Sequence, residues 1–187
     1  MESTEEVLLD SDEKMEKSVA FIHEQFSGIR TGKASPALVE NITVPYYGTP
    51  TRLRDIAGIS TPEPRLIVIN AFDPTALAEI GKAILAANLG VTPMNDGRVV
   101  RVPIPELSEE RRVEMTKLAK RMAEDGRIAV RNVRRDANEQ IKTLQKAGKA
   151  TEDERDQALK DIQKATDDYI KQIDAAVKSK EAEIMEV

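Results

Sequence analysis

Residues 108–148 read SEERRVEMTKLAKRMAEDGRIAVRNVRRDANEQIKTLQKAG, and this stretch decides the fold. Apolar residues recur in it at alternating steps of three and four, which places them on one stripe of an α-helix. Ser108 is expected to cap the start of this helix and Gly148 to end it. A helix of roughly forty residues would be about 60 Å long at 1.5 Å per residue, so we expect an elongated molecule. The stripe consists of Met115, Leu118, Met122, Ala129, Val133, Ala137, Ile141 and Leu144.

Two further segments carry the same apolar spacing. Thr151 and Glu154 form the pattern of a capping box in front of the second of them. Three narrow stripes of this kind bury best against one another, so the sequence predicts a bundle of three long helices. The first stripe is Met15, Val19, Ile22, Phe26 and Ile29, and the other is Leu159, Ile162, Thr166, Tyr169, Ile173 and Ala176.

Residues 31–105 differ from the rest of the chain because they contain all nine prolines and six of the nine glycines. Runs of β-branched and aromatic residues predict strands at Asn41–Tyr47, Arg65–Ala71 and Val99–Val102. Asp73 and Pro74 are expected to open a helix that ends near Asn88. The predicted fold class is therefore α+β. Residues 1–30 and 106–187 form the bundle, and residues 31–105 form a small inserted β/α/β domain.

An inserted domain requires the chain to cross twice between the domains. We predict a hinge at these crossings, because two short segments side by side give few constraints on an interdomain angle. A rigid elbow is the alternative. The predicted hinge residues are Thr31, Gly32, Lys33, Ala34 and Ser35 on the way out, and Val102, Pro103, Ile104 and Pro105 on the way back.

The composition excludes several classes of chemistry. The chain has no cysteine and a single histidine, His23, so it lacks the usual ligands for a soft metal. We find no combination of nucleophile, base and orienting group, and therefore predict neither catalysis nor a cofactor nor a metal. No apolar run approaches the roughly 20 residues of a membrane helix, and the N-terminus does not resemble a secretory signal. A cytoplasmic protein without membrane contact is expected.

The distribution of charge points to a binding surface. The net charge of the chain is −5, yet residues 106–148 carry a net charge of +3. Four arginines in this segment, Arg127, Arg131, Arg134 and Arg135, share one helical face, with Ala129 and Val133 expected opposite them in the bundle seam. Arginine is well suited to phosphate because its guanidinium binds two oxygens at once, so a contact with RNA or polyphosphate is predicted. The alternative is that acidic residues of neighbouring helices neutralise the cluster.

Several longer stretches resemble the ribosome recycling factor family, in the order in which that family has them. The similarity extends over nearly the whole chain and is weakest in residues 1–14 and 149–187. The matching stretches are Arg30–Pro36, Tyr46–Pro50, Asn95–Gly97, Arg101–Pro105, Glu109–Arg112 and Arg127–Asn138.

The resemblance implies a fold and a function. The fold is a three-helix bundle with a β/α/β domain inserted after the first helix and joined by a hinge, which gives an L-shaped molecule of two domains. The function is to bind RNA of the large ribosomal subunit and, together with elongation factor G, to split the post-termination ribosome into subunits. A monomer that hydrolyses nothing is implied. The implied RNA-binding residues are Arg30, Arg127, Arg131, Arg134 and Arg135.

Two positions depart from the family pattern. Lys33 replaces a more usual arginine, so a point charge stands where the family has a planar fork. Gly126 replaces a more usual alanine inside the long helix, at a cost of about 0.5–1 kcal/mol.

An alternative function belongs to a different class, a structural adaptor whose coiled helices bind partner helices. It would require apolar stripes left exposed after the bundle has formed.

Overall fold

The computed structural model describes residues 3–186. The order of elements confirms an α+β protein with long helices and a sheet-containing insertion. The helices are α1 (Thr4–Ser27), α2 (Leu53–Ile56), α3 (Leu77–Ala86), α4 (Glu109–Lys146) and α5 (Glu152–Met185); the strands are β1 (Thr43–Tyr46), β2 (Thr49–Arg52), β3 (Ala57–Glu63), β4 (Leu66–Ala71), β5 (Met94–Asn95) and β6 (Val100–Pro103).

The chain divides into two compact units. The bundle unit contains the described residues up to Phe26 and those from Thr116 onward, and the inserted unit is Ser27–Met115. The first turns of α4 therefore belong to the inserted unit, whereas the sequence-based boundaries lay at residues 30 and 105.

The ends of the long helices follow the local signals. Ser108 Oγ accepts a hydrogen bond from the Arg111 amide at 3.3 Å, which confirms the expected N-cap of α4. The Thr151 amide donates to the Glu154 carboxylate at 2.7 Å, and the Glu154 amide donates to Thr151 Oγ1 at 3.2 Å, so the capping box of α5 is complete. Gly148 has a φ of +72°, a left-handed conformation that favours glycine and ends α4.

The buried stripe of α4 is shifted from the predicted one in its first half. The predicted positions Leu118 and Met122 are only half-buried, and the neighbouring alanines Ala119 and Ala123 are fully buried instead. Ala129 and Val133, predicted to be in the seam, are also half-buried, whereas Val130 has no exposed surface. The prediction followed the larger apolar side chains, but small residues face the partner helices here. The buried residues of α4 are Ala119, Ala123, Gly126, Val130, Ala137, Ile141 and Leu144.

Gly126 explains the shift, because it lies where α1 and α5 both approach α4 closely. A Cβ placed on Gly126 would lie 2.6 Å from Ile22 Cγ1 and 3.3 Å from Ile173 Cδ1. A 2.6 Å separation is well inside van der Waals contact, so an alanine could fit only if Ile22 moved. The glycine thus costs helix propensity but permits close helix packing at this level of the bundle.

The inserted unit contains two antiparallel sheets. Strands β1 and β2 form a hairpin, and the larger sheet has the strand order β3-β4-β6-β5. Helix α3 packs against β1, β5 and β6. The core between them is aliphatic and includes Leu53, Ile67, Ile69, Ile80, Ile84, Val100 and Val102, each with no exposed surface.

The three predicted strands correspond to β1, β4 and β6, and the predicted helix to α3. Three strands were not predicted. Of these, β2 contains Pro50, β3 contains Gly58 and Pro62, and β5 has only two residues. Both β2 and β3 have a partner on one side only, and such edge positions tolerate proline.

Candidate nucleic-acid interface

Two of the four clustered arginines on α4 contact α5. Arg127 reaches Asp174 of α5, and Arg134 reaches Gln163 of the same helix. Arg127 and Arg134 therefore flank the buried seam, whereas the sequence predicted the whole cluster on the opposite side; Arg131 and Arg135 are exposed. This position anchors the cluster, because the neighbouring side of α4 is held in the bundle core.

Arg127 is held by two carboxylates. Its guanidinium lies 2.9 Å from Glu124 Oε2 and 2.8 Å from Asp174 Oδ1, and its side chain is 22% exposed. Burial opposes the charged form, but hydrogen bonds and charge from Asp174 and Glu124 outweigh this effect and raise the pKa of Arg127. The contacts of Arg127 therefore match the alternative interpretation, in which acidic residues neutralise the positive charge.

The other three arginines have weaker or neutral partners. Arg131 lies 3.4 Å from Glu124, which already binds Arg127, and its side chain is 45% exposed. Arg134 donates to the amide oxygen of Gln163 at 3.1 Å, and Arg135 donates to the amide oxygen of Asn132. Amide oxygens do not cancel a positive charge. Arg131, Arg134 and Arg135 can therefore offer their charge and donors to an external phosphate.

Two lysines extend this face and were missed from the sequence. Lys120 lies seven residues before Arg127, and Lys142 lies seven residues after Arg135, so each falls on nearly the same side of α4. Both are exposed, and Lys120 lies 3.6 Å from Glu181. The seven-residue spacing was a usable signal, but it was not followed beyond the arginines. We call the surface formed by Lys120, Arg131, Arg134, Arg135 and Lys142 the basic strip.

Arg30, the fifth predicted RNA-binding residue, belongs to the inserted unit. Its guanidinium donates to the backbone carbonyls of Leu89 at 3.4 Å and Pro105 at 3.3 Å. Its partners are thus carbonyl groups of the same unit.

The predicted hinge residues are attached to the inserted unit to different degrees. Val102 and Pro103 form part of β6, and the Ile104 amide donates to the Arg65 carbonyl at 2.7 Å. On the outgoing side, the Ala34 amide donates to the Pro64 carbonyl at 2.7 Å, and Ser35 caps the short 3₁₀ turn Pro36–Leu38. Thr31, Gly32, Lys33 and Pro105 lie outside the helices and strands, and Gly32 has a φ of +80°.

Residues 3–186 contain neither a metal-binding cluster nor a membrane-spanning helix. No group of three or more histidine, cysteine, aspartate or glutamate side chains in this part of the chain is arranged to hold a metal ion. None of the described helices combines the length and apolar character needed to cross a membrane.

Comparison with known proteins gives one consistent result. The family model for ribosome recycling factor matches residues 22–185. Ribosome-recycling factors of Geobacillus kaustophilus (strain HTA426) and Bacillus subtilis (strain 168) are 50% and 48% identical to this chain. The alignments cover 97% and 98% of this chain, and 98% and 100% of the respective relatives.

Solved structures agree in fold. A solution structure of the ribosome recycling factor superimposes with a TM-score of 0.81 at 40% identity, covering 98% of both chains. A second match comes from models for the T. thermophilus ribosome recycling factor and the E. coli elongation factor G bound to the E. coli post-termination complex. Its TM-score is 0.70 at 38% identity, covering 98% of this chain and 100% of the other.

Long helices, a sheet-containing insertion and an exposed basic strip, together with these relatives, define a translation factor and not an enzyme. The match over most of the chain is specific enough to name the family. The chain belongs to the ribosome recycling factor family.

Proposed function

We propose that this chain acts in the cytoplasm as a monomer that binds RNA of the large ribosomal subunit through the basic strip. Together with elongation factor G, it then splits the post-termination ribosome into subunits. Binding and domain motion, without catalysis by this chain, perform the work. The similarity to a ribosome recycling factor described together with elongation factor G and a post-termination complex supports this role.

The proposal rests on one observation, namely which partners the clustered arginines of α4 have. Arg134 and Arg135 have neutral hydrogen-bond partners, and Arg131 shares a single carboxylate with Arg127. A helix anchored on its adjacent side fixes their Cα positions, so the backbone needs no further ordering when they bind phosphate. We retain Arg127 as a weaker candidate, because Asp174 would have to release it first.

The structural adaptor is less well supported. It requires an unused apolar stripe, but one apolar stripe on each of α1, α4 and α5 is already buried, and the neighbouring Leu118, Met122, Ala129 and Val133 are half-buried. Four large apolar side chains remain exposed on the bundle unit: Leu9 and Phe21 lie twelve residues apart on α1, Ile128 lies on α4, and Met185 lies at the end of α5.

Cosedimentation with purified large subunits over a range of salt concentrations tests the RNA contact. We expect Arg134→Ala to weaken binding by about 1.5–3 kcal/mol, the usual contribution of a charge-assisted contact. Each lost phosphate contact should lower the slope of log affinity against log salt by somewhat less than 1. Arg134→Lys should restore only part of the affinity, because the bidentate geometry is lost.

Arg155→Ala is a matched control, since Arg155 lies on α5 of the same unit and pairs with the adjacent Asp156. It should leave the affinity and the salt slope unchanged. A binding curve that is insensitive to salt, or an Arg134→Ala variant with unchanged affinity, would favour the adaptor.

Motion of the inserted unit is the second part of the proposal. We propose a pivot around Thr31–Lys33 and Pro105, in the parts of the crossings that lie outside the sheet. Both segments lie within the compact inserted unit, four and ten residues from its ends at Ser27 and Met115. A disulfide engineered across the unit boundary should preserve ribosome binding but abolish splitting, and reduction should restore splitting in the same sample. The chain has no cysteine of its own to interfere. Equal splitting rates in the oxidised and reduced samples would show a rigid elbow instead.

A further inference from the structure

Arg30 makes hydrogen bonds within the protein that a role in RNA binding does not explain. It lies three residues after the end of α1, yet its guanidinium reaches two segments that are distant in sequence. Nη1 donates to the Leu89 carbonyl in the loop after α3, and Nη2 donates to the Pro105 carbonyl in the returning crossing. One side chain therefore connects both crossings with the α3–β5 loop, entirely within the inserted unit.

The loop after α3 is shaped to receive this side chain. Gly90 has a φ of +68°, and a Cβ placed on it would lie 3.1 Å from Arg30 Nη1. Asn88, two residues earlier, also has a positive φ of +53°, which is uncommon for a residue other than glycine. The two left-handed residues turn the Leu89 carbonyl toward the guanidinium, and the glycine leaves room for it.

Arg30 is one of the residues that line a small apolar cavity. The cavity volume is about 70 Å³, and the surrounding side chains include Leu38, Val91 and Ile104. Arg30 Nε is buried there without a hydrogen-bond partner within the described part of the chain. A buried unsatisfied donor is costly, and its retention in a native structure calls for an explanation.

We propose that Arg30 is a positioning residue, a latch that fastens the outgoing crossing to the returning crossing and to the α3–β5 loop. The two crossings then move as one joint instead of as two independent strands of chain. Both bonds are long, at 3.3 and 3.4 Å, so the latch can yield during motion. A second close approach joins the same part of the chain. Leu107, just after the returning crossing, lies beside Gly32 of the outgoing crossing, and a Cβ placed on Gly32 would be 3.7 Å from Leu107 Cγ. The role in splitting rests on the function proposed above, whereas the latch itself is a property of the free protein.

Hydrogen exchange in the free full-length chain tests the latch without the ribosome. In Arg30→Ala, we expect the amides of residues 88–91 and of Glu106 and Leu107 to exchange faster, while the amides of α4 and α5 stay unchanged. Arg30→Lys keeps the charge but cannot span both carbonyls, so it should show the same faster exchange. Gly90→Ala disturbs the latch from the opposite side, and it should have this effect with Arg30 still present.

The ribosome provides the second measurement. Arg30→Ala should slow subunit splitting by about tenfold, while affinity for the large subunit stays within about twofold and the salt slope is unchanged. Arg134→Ala serves as the comparison, because it should lower the salt slope without changing exchange around residue 90.

Two outcomes would overturn the latch. Unchanged exchange together with a salt slope lowered by somewhat less than 1 in Arg30→Ala would make Arg30 a phosphate contact. Unchanged exchange and unchanged splitting in all three variants would leave Arg30 without this role. If the wild-type chain does not split ribosomes, the proposed function fails, and the exchange data still decide whether the latch exists.

Discussion

The two halves of α4 within the bundle unit bury different kinds of side chain. From Ala119 to Val130 the buried positions hold small residues, and Gly126 leaves no room for even a Cβ. From Ala137 to Leu144 the buried positions include the larger Ile141 and Leu144. The difference shows that close approach of helices and bulky packing are alternative ways to fill a bundle. Only the second is visible as hydrophobicity in the sequence.

The largest effect is expected in the half with bulky packing. Ile141 has no exposed surface, so Ile141→Ala should lower the free energy of unfolding by about 2–5 kcal/mol through lost burial and a cavity. Met122→Ala, in the other half, removes a half-buried side chain and should cost clearly less. Urea unfolding followed by far-ultraviolet circular dichroism measures both. Equal losses would mean that Met122 belongs to the core as the sequence predicted.

A substitution at Gly126 tests the half with small residues. Alanine improves helix propensity, yet here its Cβ would lie 2.6 Å from Ile22 Cγ1, so we expect Gly126→Ala to destabilise the bundle by about 1–3 kcal/mol. Gly81→Ala is the matched control, because Gly81 lies inside α3 with nothing within 4 Å of its Cβ position. It should stabilise the inserted unit by about 0.5–1 kcal/mol. Stabilisation by both substitutions would refute the close approach at Gly126.

The ion pair beside Gly126 should have a smaller effect. Arg127→Ala removes the link from α4 to Asp174 of α5 and should cost about 1 kcal/mol, with a smaller loss at high salt. Arg131→Ala, one turn later and more exposed, should stay within about 0.5 kcal/mol of the wild type. Chemical denaturation at two ionic strengths distinguishes them. A cost for Arg131→Ala as large as that for Arg127→Ala would contradict the difference in their contacts.

A further prediction concerns the dependence of stability on pH. Tyr169 of α5 donates to Asp12 of α1 at 2.9 Å, and burial, this hydrogen bond and the nearby charge raise the pKa of Tyr169 to about 12. A raised pKa means that the fold favours the neutral phenol. Its contribution to stability is therefore complete below the ordinary pKa of about 10 and declines as pH rises toward 12. The stability difference between the wild type and Tyr169→Phe should shrink over this interval, and a constant difference would contradict the shifted pKa.

The sequence predicted the features that are set by local chemistry. The caps at Ser108, Thr151 and Gly148 need only nearby residues, and all three were found. The seam of α4 was misjudged at Leu118 and Met122, because no local signal shows that Ala119 and Ala123 face close neighbours. Strands β2 and β3 were missed because their prolines argue against strands unless the edge position is known.

In the candidate site, too, features set by nearby residues were predicted, whereas features that depend on helix packing were not. Clustering of four arginines on one helical face was readable from their spacing, but the pairing of Arg127 with Asp174 depends on the register between α4 and α5. Arg30 could not be separated from the α4 arginines by residue type. Only the fold reveals that its partners are the carbonyls of Leu89 and Pro105.

The discontinuity of the bundle unit has a consequence for folding during synthesis. Chains are made from the N-terminus at about 5–20 residues per second, so Ser27–Met115 is complete several seconds before α5 exists. The inserted unit has its own aliphatic core and can close in that interval. Helix α1 cannot be buried in that interval, since Ile22 lies beside Gly126 of α4 and Met15 lies beside Thr166 of α5, both in segments still to be translated. We expect a nascent chain with a finished middle and an unpaired amphipathic helix, a state that a chaperone for exposed apolar helices would recognise.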